Sequence, residues 1–241
     1  MDVQVVRDHV RVGPGSGGDA TMPIGTPSPS WMVGGGALPV QRMASERGHV
    51  RVESPLHYPW NDFVESTHAL IWVPPIAGYG TRAFALGEGE APPSSVGSEE
   101  VRAGERSMEN RALRLEWDER GAVTLATTDG ARSIASLIAI ESTVDAGDLY
   151  TPSLRGAPRV AELSNPRLKL RGPLRASLVV QWRIESHDAL RRVAPNVSAG
   201  TITLSLDAGS NFLRVDVAGD NGITDHRLRL RIASDVHAPQ T

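Results

Sequence analysis

The sequence predicts an all-β protein: an antiparallel β-sandwich over its second half, preceded by a small β-domain and a Gly/Pro-rich lead. Three observations carry that expectation. From about residue 108 onward, apolar and polar side chains alternate with a period of two in run after run, which places one face of each strand in a core and the other in water. The runs are short and separated by Gly, Pro, Asp and Asn, the residues that close turns. No segment holds a helical period over three turns, and "SHDALRRVA" supports one turn at most.

Taken in order, residues 1–36 open with a plausible strand over 3–12 and continue as "GPGSGGDATMPIGTPSPSWMVGGG". Gly, Pro and Ser at this density build neither a helix nor a ladder, so a flexible lead is expected. Residues 37–86 hold the strand candidates "HVRVES", "FVESTHALIWV" and "TRAFAL", read as a small β-domain. Residues 87–107 are rich in Pro, Gly and Glu and read as a linker. Residues 108–241 form the sandwich. "RALRLEW" puts Leu113, Leu115 and Trp117 on one face, "DERG" is turn chemistry, and "AVTLAT" is the return strand. "SLVVQWRI" aligns Leu178, Val180, Trp182 and Ile184; "TITLSL" aligns Ile202, Leu204 and Leu206; "FLRVDV" aligns Leu213, Val215 and Val217. In "HRLRLRI", Leu228, Leu230 and Ile232 are expected to face inward and Arg227, Arg229 and Arg231 outward. A one-residue slip would bury three arginines, so the register is expected to be fixed.

Composition narrows the function classes. A net charge of −3 gives no electrostatic reason to bind nucleic acid or an anionic membrane. The 241 residues include no cysteine, which removes disulfides, thiolate zinc sites and cysteine nucleophiles. The N-terminus carries acidic residues early and lacks an apolar core segment, so no secretory signal is read, and no apolar run reaches the roughly 20 residues of a membrane helix. A cytoplasmic protein is the expectation.

The motifs that could carry chemistry are few. Gly13, Gly15 and Gly18 satisfy G-x-G-x-x-G, but "DATMPIGTPSPS" follows where a dinucleotide site needs a helix N-terminus. The seven histidines show none of the H-x-H, H-x-D or H-E-x-x-H spacings of metal sites. His57 and Asp62 flank "YPWN", where a contact across a turn is expected. His226 shares the parity of the inward face of the last strand and reads as a core histidine bonded to a backbone carbonyl, Asp225 or Asp220. Trp117 and Trp182 read as core, and Trp60 as an exposed aromatic able to stack on a sugar. The stretch "DAGDLYTPS" packs Asp145, Gly147, Asp148 and Tyr150 into a turn that Pro152 keeps from continuing as a ladder.

Several stretches together resemble glycoside hydrolase family 38, the class II α-mannosidases. "MENRALRLEWDERGAVTL" and "TDGARSIASLIAIESTVDAGDLYTPS" resemble the opening of the family's C-terminal β-domain, with Glu109-Asn110, the D-x-x-G hairpin of residues 118–121 and the "GDxY" turn of residues 147–150 in place. "RGPLRASLVVQWRI" is similar to the family's "GPLRA" strand and "GDNGITDHRLRLRI" to its "DHRLR" strand. "VESPLHYPWNDFVE" and "WVPPIAGYGTRAF" resemble the small β-domain that precedes the sandwich in bacterial members. The likeness spans about residues 38–235.

The resemblance implies a galactose mutarotase-like supersandwich, here truncated, from a retaining, zinc-dependent α-mannosidase. The family's catalytic barrel, with its zinc ligands and aspartate nucleophile, has no counterpart in this sequence. The resemblance therefore implies no catalytic residue, metal ligand or cofactor in this chain. Zinc is expected in a barrel domain supplied in cis or by a neighbouring gene, and the 241 residues are expected to be inactive alone. In the family the tyrosine of the "GDxY" turn contacts the sugar beside the zinc. Carried over, this implies substrate binding through Tyr150, with Asp148 and Gly147 shaping the turn; the expected partner is an α-mannoside, with no nucleic acid and no membrane. Two other readings stand beside it. One is a stand-alone carbohydrate-binding module using Trp60 or Tyr150; the other is a sugar epimerase of the supersandwich type, for which His226 lacks an evident second member.

Overall fold

The computed structural model describes residues 3–11, 30–33, 36–73, 75–81, 85–87, 96–119, 121–148, 150–185 and 197–234. The one-turn helix candidate, the residue 13–18 glycine motif and Leu149 lie outside them. The chain divides into two compact units, Met1–Glu100 and Val101–Thr241. Among the described residues both are built from antiparallel strands, with no α-helix and one short 3-10 turn, Gly97–Glu99.

The first unit comprises β1 (Val3–Arg11), β2 (Ser30–Val33), β3 (Gly36–Ala37), β4 (Val40–Ser54), β5 (His57–Trp72) and β6 (Ala85–Gly87). Two small sheets result, ordered β1-β5-β4 and β3-β2-β6. Within the stretch read as a flexible lead, residues 3–11 pair with β5 and residues 30–33 with β6. Two of the short strands expected over 37–86, "HVRVES" and "FVESTHALIWV", are instead parts of one long hairpin closed at Pro55 and Leu56, with β4 of 15 residues and β5 of 16, while the end of "TRAFAL" falls in β6. "YPWN" is part of β5, so His57 and Asp62 lie on one strand rather than across a turn. The interior Pro59 is tolerated because, among the described residues, β1 pairs only with residues 64–72, so no described strand takes a hydrogen bond from that side of β5 at Pro59. Among the described residues of this unit, Leu38, Ala69, Leu70 and Ile71 are buried and apolar.

The second unit contains β7 (Arg102–Ala103), β8 (Ser107–Glu109), β9 (Leu113–Trp117), β10 (Val123–Thr127), β11 (Ser133–Ile134), β12 (Ile138–Asp145), β13 (Leu154–Val160), β14 (Glu162–Leu163), β15 (Arg167–Leu170), β16 (Arg175–Glu185), β17 (Val197–Asp207), β18 (Arg214–Asp220) and β19 (His226–Ile232). They form sheets ordered β11-β10-β9-β8-β7, β13-β12-β19 and β14-β16-β17-β18, with β15 also on β16. The period-two pattern is realised where it was clearest. Leu113, Leu115 and Trp117 are buried on β9, Leu178, Val180, Trp182 and Ile184 on β16, and Ile202, Leu204 and Leu206 on β17. The β9–β10 turn is held by Asp118, whose carboxylate accepts the Ala122 N–H at 2.7 Å, and Gly121 takes φ +85°. The architecture is all-β and sandwich-like, as expected.

Two strands depart from the sequence pattern. On β19 the alternation holds, but Leu228 is only half-buried and Leu230 and Ile232 are 41% and 54% exposed. On β18, Val217 is exposed as well. Each is the terminal strand of its sheet, so its apolar side receives cover from one flank only.

Two of the residues that carried the family resemblance, Asn110 and Arg175, are packing residues. Asn110, 4% exposed, donates from Nδ2 to the carbonyls of Asp207 and Ser210, both at 2.8 Å. Its Oδ1 accepts the N–H groups of Ala112 and Leu113 at 2.9 Å. One side chain thus closes the β8–β9 turn and fastens it to the end of β17. Arg175, of "GPLRA", grips buried Asp207 with two N–H groups, Nη2 lying 2.8 Å from Oδ2. Arg214 adds a weaker contact at 3.6 Å.

Candidate functional site

Residues 145–153 connect β12 to β13, and two carboxylates set the turn. Asp145 Oδ1 accepts the N–H of Gly147 at 3.0 Å and of Ser153 at 2.8 Å, spanning the mouth of the loop. Asp148 Oδ1 accepts the N–H of Tyr150 at 2.9 Å and of Thr151 at 2.6 Å, an Asx turn at the tip. Ala146 N–H to Ser153 O at 3.0 Å closes the base, and Asp145 N–H to Asp225 O at 2.9 Å ties it to the start of β19. Gly147 is required by space: a Cβ would lie 2.0 Å from the Thr151 carbonyl oxygen and 2.7 Å from the Ser153 nitrogen.

Both carboxyl groups titrate below the ordinary carboxylate range. For Asp145 the main cause is the Ser153 N–H, followed by that of Gly147; for Asp148 it is the Tyr150 N–H, followed by that of Thr151. Hydrogen bonds to the charged form keep them ionised, so each acts as a fixed acceptor holding the loop.

Of the three residues expected to form the site, Gly147 and Asp148 therefore shape it and Tyr150 projects from it. The Tyr150 side chain is 92% exposed. Its phenol is able to donate and accept one hydrogen bond each, and its ring offers an apolar face. A shallow cavity of about 300 Å³ is lined by Arg159, Val160, Glu162, Arg183, Ile184 and Glu185, and none of the three turn residues lines it. Among the described residues no group of three or more His, Cys, Asp or Glu is placed to hold a metal ion.

His226 is not the core histidine bonded to a backbone carbonyl, Asp225 or Asp220 that the sequence led us to expect. Its Nδ1 lies 2.6 Å from Ser142 Oγ and its Nε2 lies 2.6 Å from Asn221 Oδ1. Burial lowers its pKa from the ordinary 6.5, because desolvation disfavours the imidazolium. Ser142 and Asn221 gave no sequence signal beyond the shared parity of Ser142 and His226 on strands that pair. Trp117 and Trp182 are core, as read, and their Nε1 groups have no hydrogen-bond partner. Trp60 stands on β5, not in a loop, and is 40% exposed.

The fold is one found within glycoside hydrolases. An α-mannosidase from Enterococcus faecalis V583 superposes with a TM-score of 0.71 at 18% identity, covering 95% of this chain and 29% of that one. A protein of glycosyl hydrolase family 38 from Enterococcus faecalis superposes with a TM-score of 0.66 at 17% identity, covering 95% of this chain and 30% of the other. The chain thus spans less than a third of the length of either. At these identities the likeness establishes the fold, which is the fold that the sequence resemblance implied. No family model matches the sequence, and no curated protein does. Among the described residues no helix is long and apolar enough to cross a membrane.

Proposed function

We propose that this chain is a non-catalytic β-sandwich portion of an α-mannosidase-like glycoside hydrolase of family 38, acting in the cytoplasm. It contributes Tyr150 to sugar contact and packs against a zinc-dependent catalytic barrel that these residues do not include. The observation that carries the reading is the turn of residues 145–153. Two ionised carboxylates satisfy four backbone N–H groups to hold it, and its one aromatic ring is left in solvent. A ring held out on a turn braced by four hydrogen bonds suits a contact residue, because less ordering remains to be done when it meets a ligand. The likeness to the two Enterococcus faecalis glycosidases supports the same reading.

The purified chain is expected to release no nitrophenol from p-nitrophenyl α-mannoside, with or without added zinc. Zinc-dependent turnover by the chain alone would overturn the proposal. A second reading, a self-sufficient carbohydrate-binding module, rests on Tyr58 and Trp60, two exposed aromatics at alternate positions of β5 and so on one face of it. Calorimetric titration with mannobiose separates the two. Heat abolished by Trp60→Ala but kept in Tyr150→Ala favours the module.

A further inference from the structure

We propose that Ser142, His226 and Asn221 constitute a nucleophile, a general base and an orienting group, and that Ser142 is acylated by small activated carboxylic esters. The register places them together. Val144 pairs with His226 and Ser142 with Leu228, so Ser142 and His226 are diagonal neighbours on one face of the β12–β19 ladder. The contact distances are 2.6 Å from Ser142 Oγ to His226 Nδ1 and 2.6 Å from His226 Nε2 to Asn221 Oδ1.

An amide oxygen only accepts, so Nε2 carries the proton. In the neutral ring Nδ1 is then a lone pair, and the Ser142 hydroxyl must be the donor. That is the arrangement in which a serine can lose its proton as it attacks. Asn221 is itself fixed: its Oδ1 accepts the Ser198 hydroxyl at 3.1 Å, and Ser198 Oγ accepts the Gly222 N–H at 3.1 Å. Ser142 and His226 are half-buried, so both remain reachable.

The surroundings bear the marks of a built site. Asp225, next to His226, holds φ +52° without being glycine. The β12–β13 register shifts between Ser142 and Val144. Arg159 is the cross-strand partner of Ser142 and Arg155 that of Val144, and both are exposed. They put two cationic residues on the strand that flanks Ser142.

The step balances without a co-reactant other than water. Ser142 Oγ bonds to the ester carbonyl carbon while its proton passes to Nδ1. The bond from that carbon to the leaving oxygen then breaks, and the alcohol departs with the proton. Water repeats the sequence to release the acid. Asn221 steers the ring but carries no charge to balance an imidazolium, so turnover is expected to be slow and the acyl-enzyme to accumulate.

The test uses the full 241-residue protein. A fluorophosphonate probe and p-nitrophenyl acetate are expected to modify Ser142, located by peptide mass mapping. Ser142→Ala should abolish labelling, and His226→Gln should slow it about 100-fold or more, the lower end of the usual range for a general base. Asn221→Asp should accelerate it, an effect that a purely structural role does not give. Absence of label on the unmodified protein, label on another residue, or no acceleration in Asn221→Asp overturns the proposal. Sugar binding does not enter this readout, so the result is independent of the function proposed above.

Discussion

Replacing Asn110 with Ala should destabilise the second unit by about 3 kcal/mol. Asn110 makes four hydrogen bonds, of which those to Asp207 O and Leu113 N are fully buried and those to Ser210 O and Ala112 N partly so. Leaving a buried backbone group unpaired costs about 1 kcal/mol at the low end of the usual range, and a partly solvated one about half of that, because water replaces the lost partner in part. Two of each sum to about 3 kcal/mol, a large share of the 5–15 kcal/mol that stabilises a typical domain. With a urea dependence of about 2 kcal/mol per molar, the unfolding midpoint should fall by about 1.5 M. Urea titrations followed by tryptophan fluorescence report it, since Trp117 and Trp182 are both buried in this unit. Asn110→Asp is the informative companion. It keeps the acceptor for Ala112 and Leu113 but turns an oxygen toward two carbonyls, so it should be no better than Ala. A midpoint shift below about 0.4 M for both variants would refute the reasoning, because it would mean that the turn and the end of β17 are held by something else.

Three further outcomes are expected. Gly147→Ala should lower stability by about 1–3 kcal/mol, since the new methyl meets backbone atoms at 2.0 and 2.7 Å that cannot rotate away, and a thermal melt checks it. The depressed His226 pKa means that the unfolded chain binds the proton more readily, so stability is full above the unfolded value of 6.5 and falls as pH drops below it; urea midpoints at pH 7.5 and 5 should show a loss that His226→Gln diminishes. Leu230→Thr combined with Ile232→Thr should cost less than about 1.5 kcal/mol while reducing dye binding to exposed apolar surface; a loss of 3 kcal/mol or more, the size seen for buried leucines, would mean that this face is covered.

How much of this could be read from the sequence depends on the range of the physics involved. The strands β9, β16 and β17 were legible because alternation is local and a core on one side enforces it. The long β4–β5 hairpin was not. Gly48, Pro55 and Pro59 break it into apparent pieces, and exposure of Tyr58 on one side and Phe63 on the other erases the alternation. The turn of residues 145–153 was legible as a turn, since Asp, Gly and Pro each favour one locally. Its closure by Asp145 onto Ser153, eight residues away, depends on where β13 begins. The contact between Ser142 and His226 spans 84 residues and exists only because β19 pairs with β12. No local pattern announces such a partner.

The last strand shows the same limit from the other side. Arg227, Arg229 and Arg231 were read as outward-facing, and Glu141 of β12 meets two of them, Arg231 at 2.6 Å and Arg229 at 4.0 Å. That cross-strand pairing and the Leu/Ile alternation agree on one register, so a slip would cost on both faces at once. Register is thus settled between two strands, whereas burial is settled between sheets. On the opposite face Ile138 and Ile140 are buried, while their β19 partners Ile232 and Leu230 stand half in water. Cover therefore fades within one strand spacing, about 5 Å, of β12. Val217 on β18 fades in the same way, and β18 and β19 are the consecutive terminal strands of two different sheets. Apolar patterning at such strands reports where a core is able to extend, and it is the pairing and packing partners that decide how far it does.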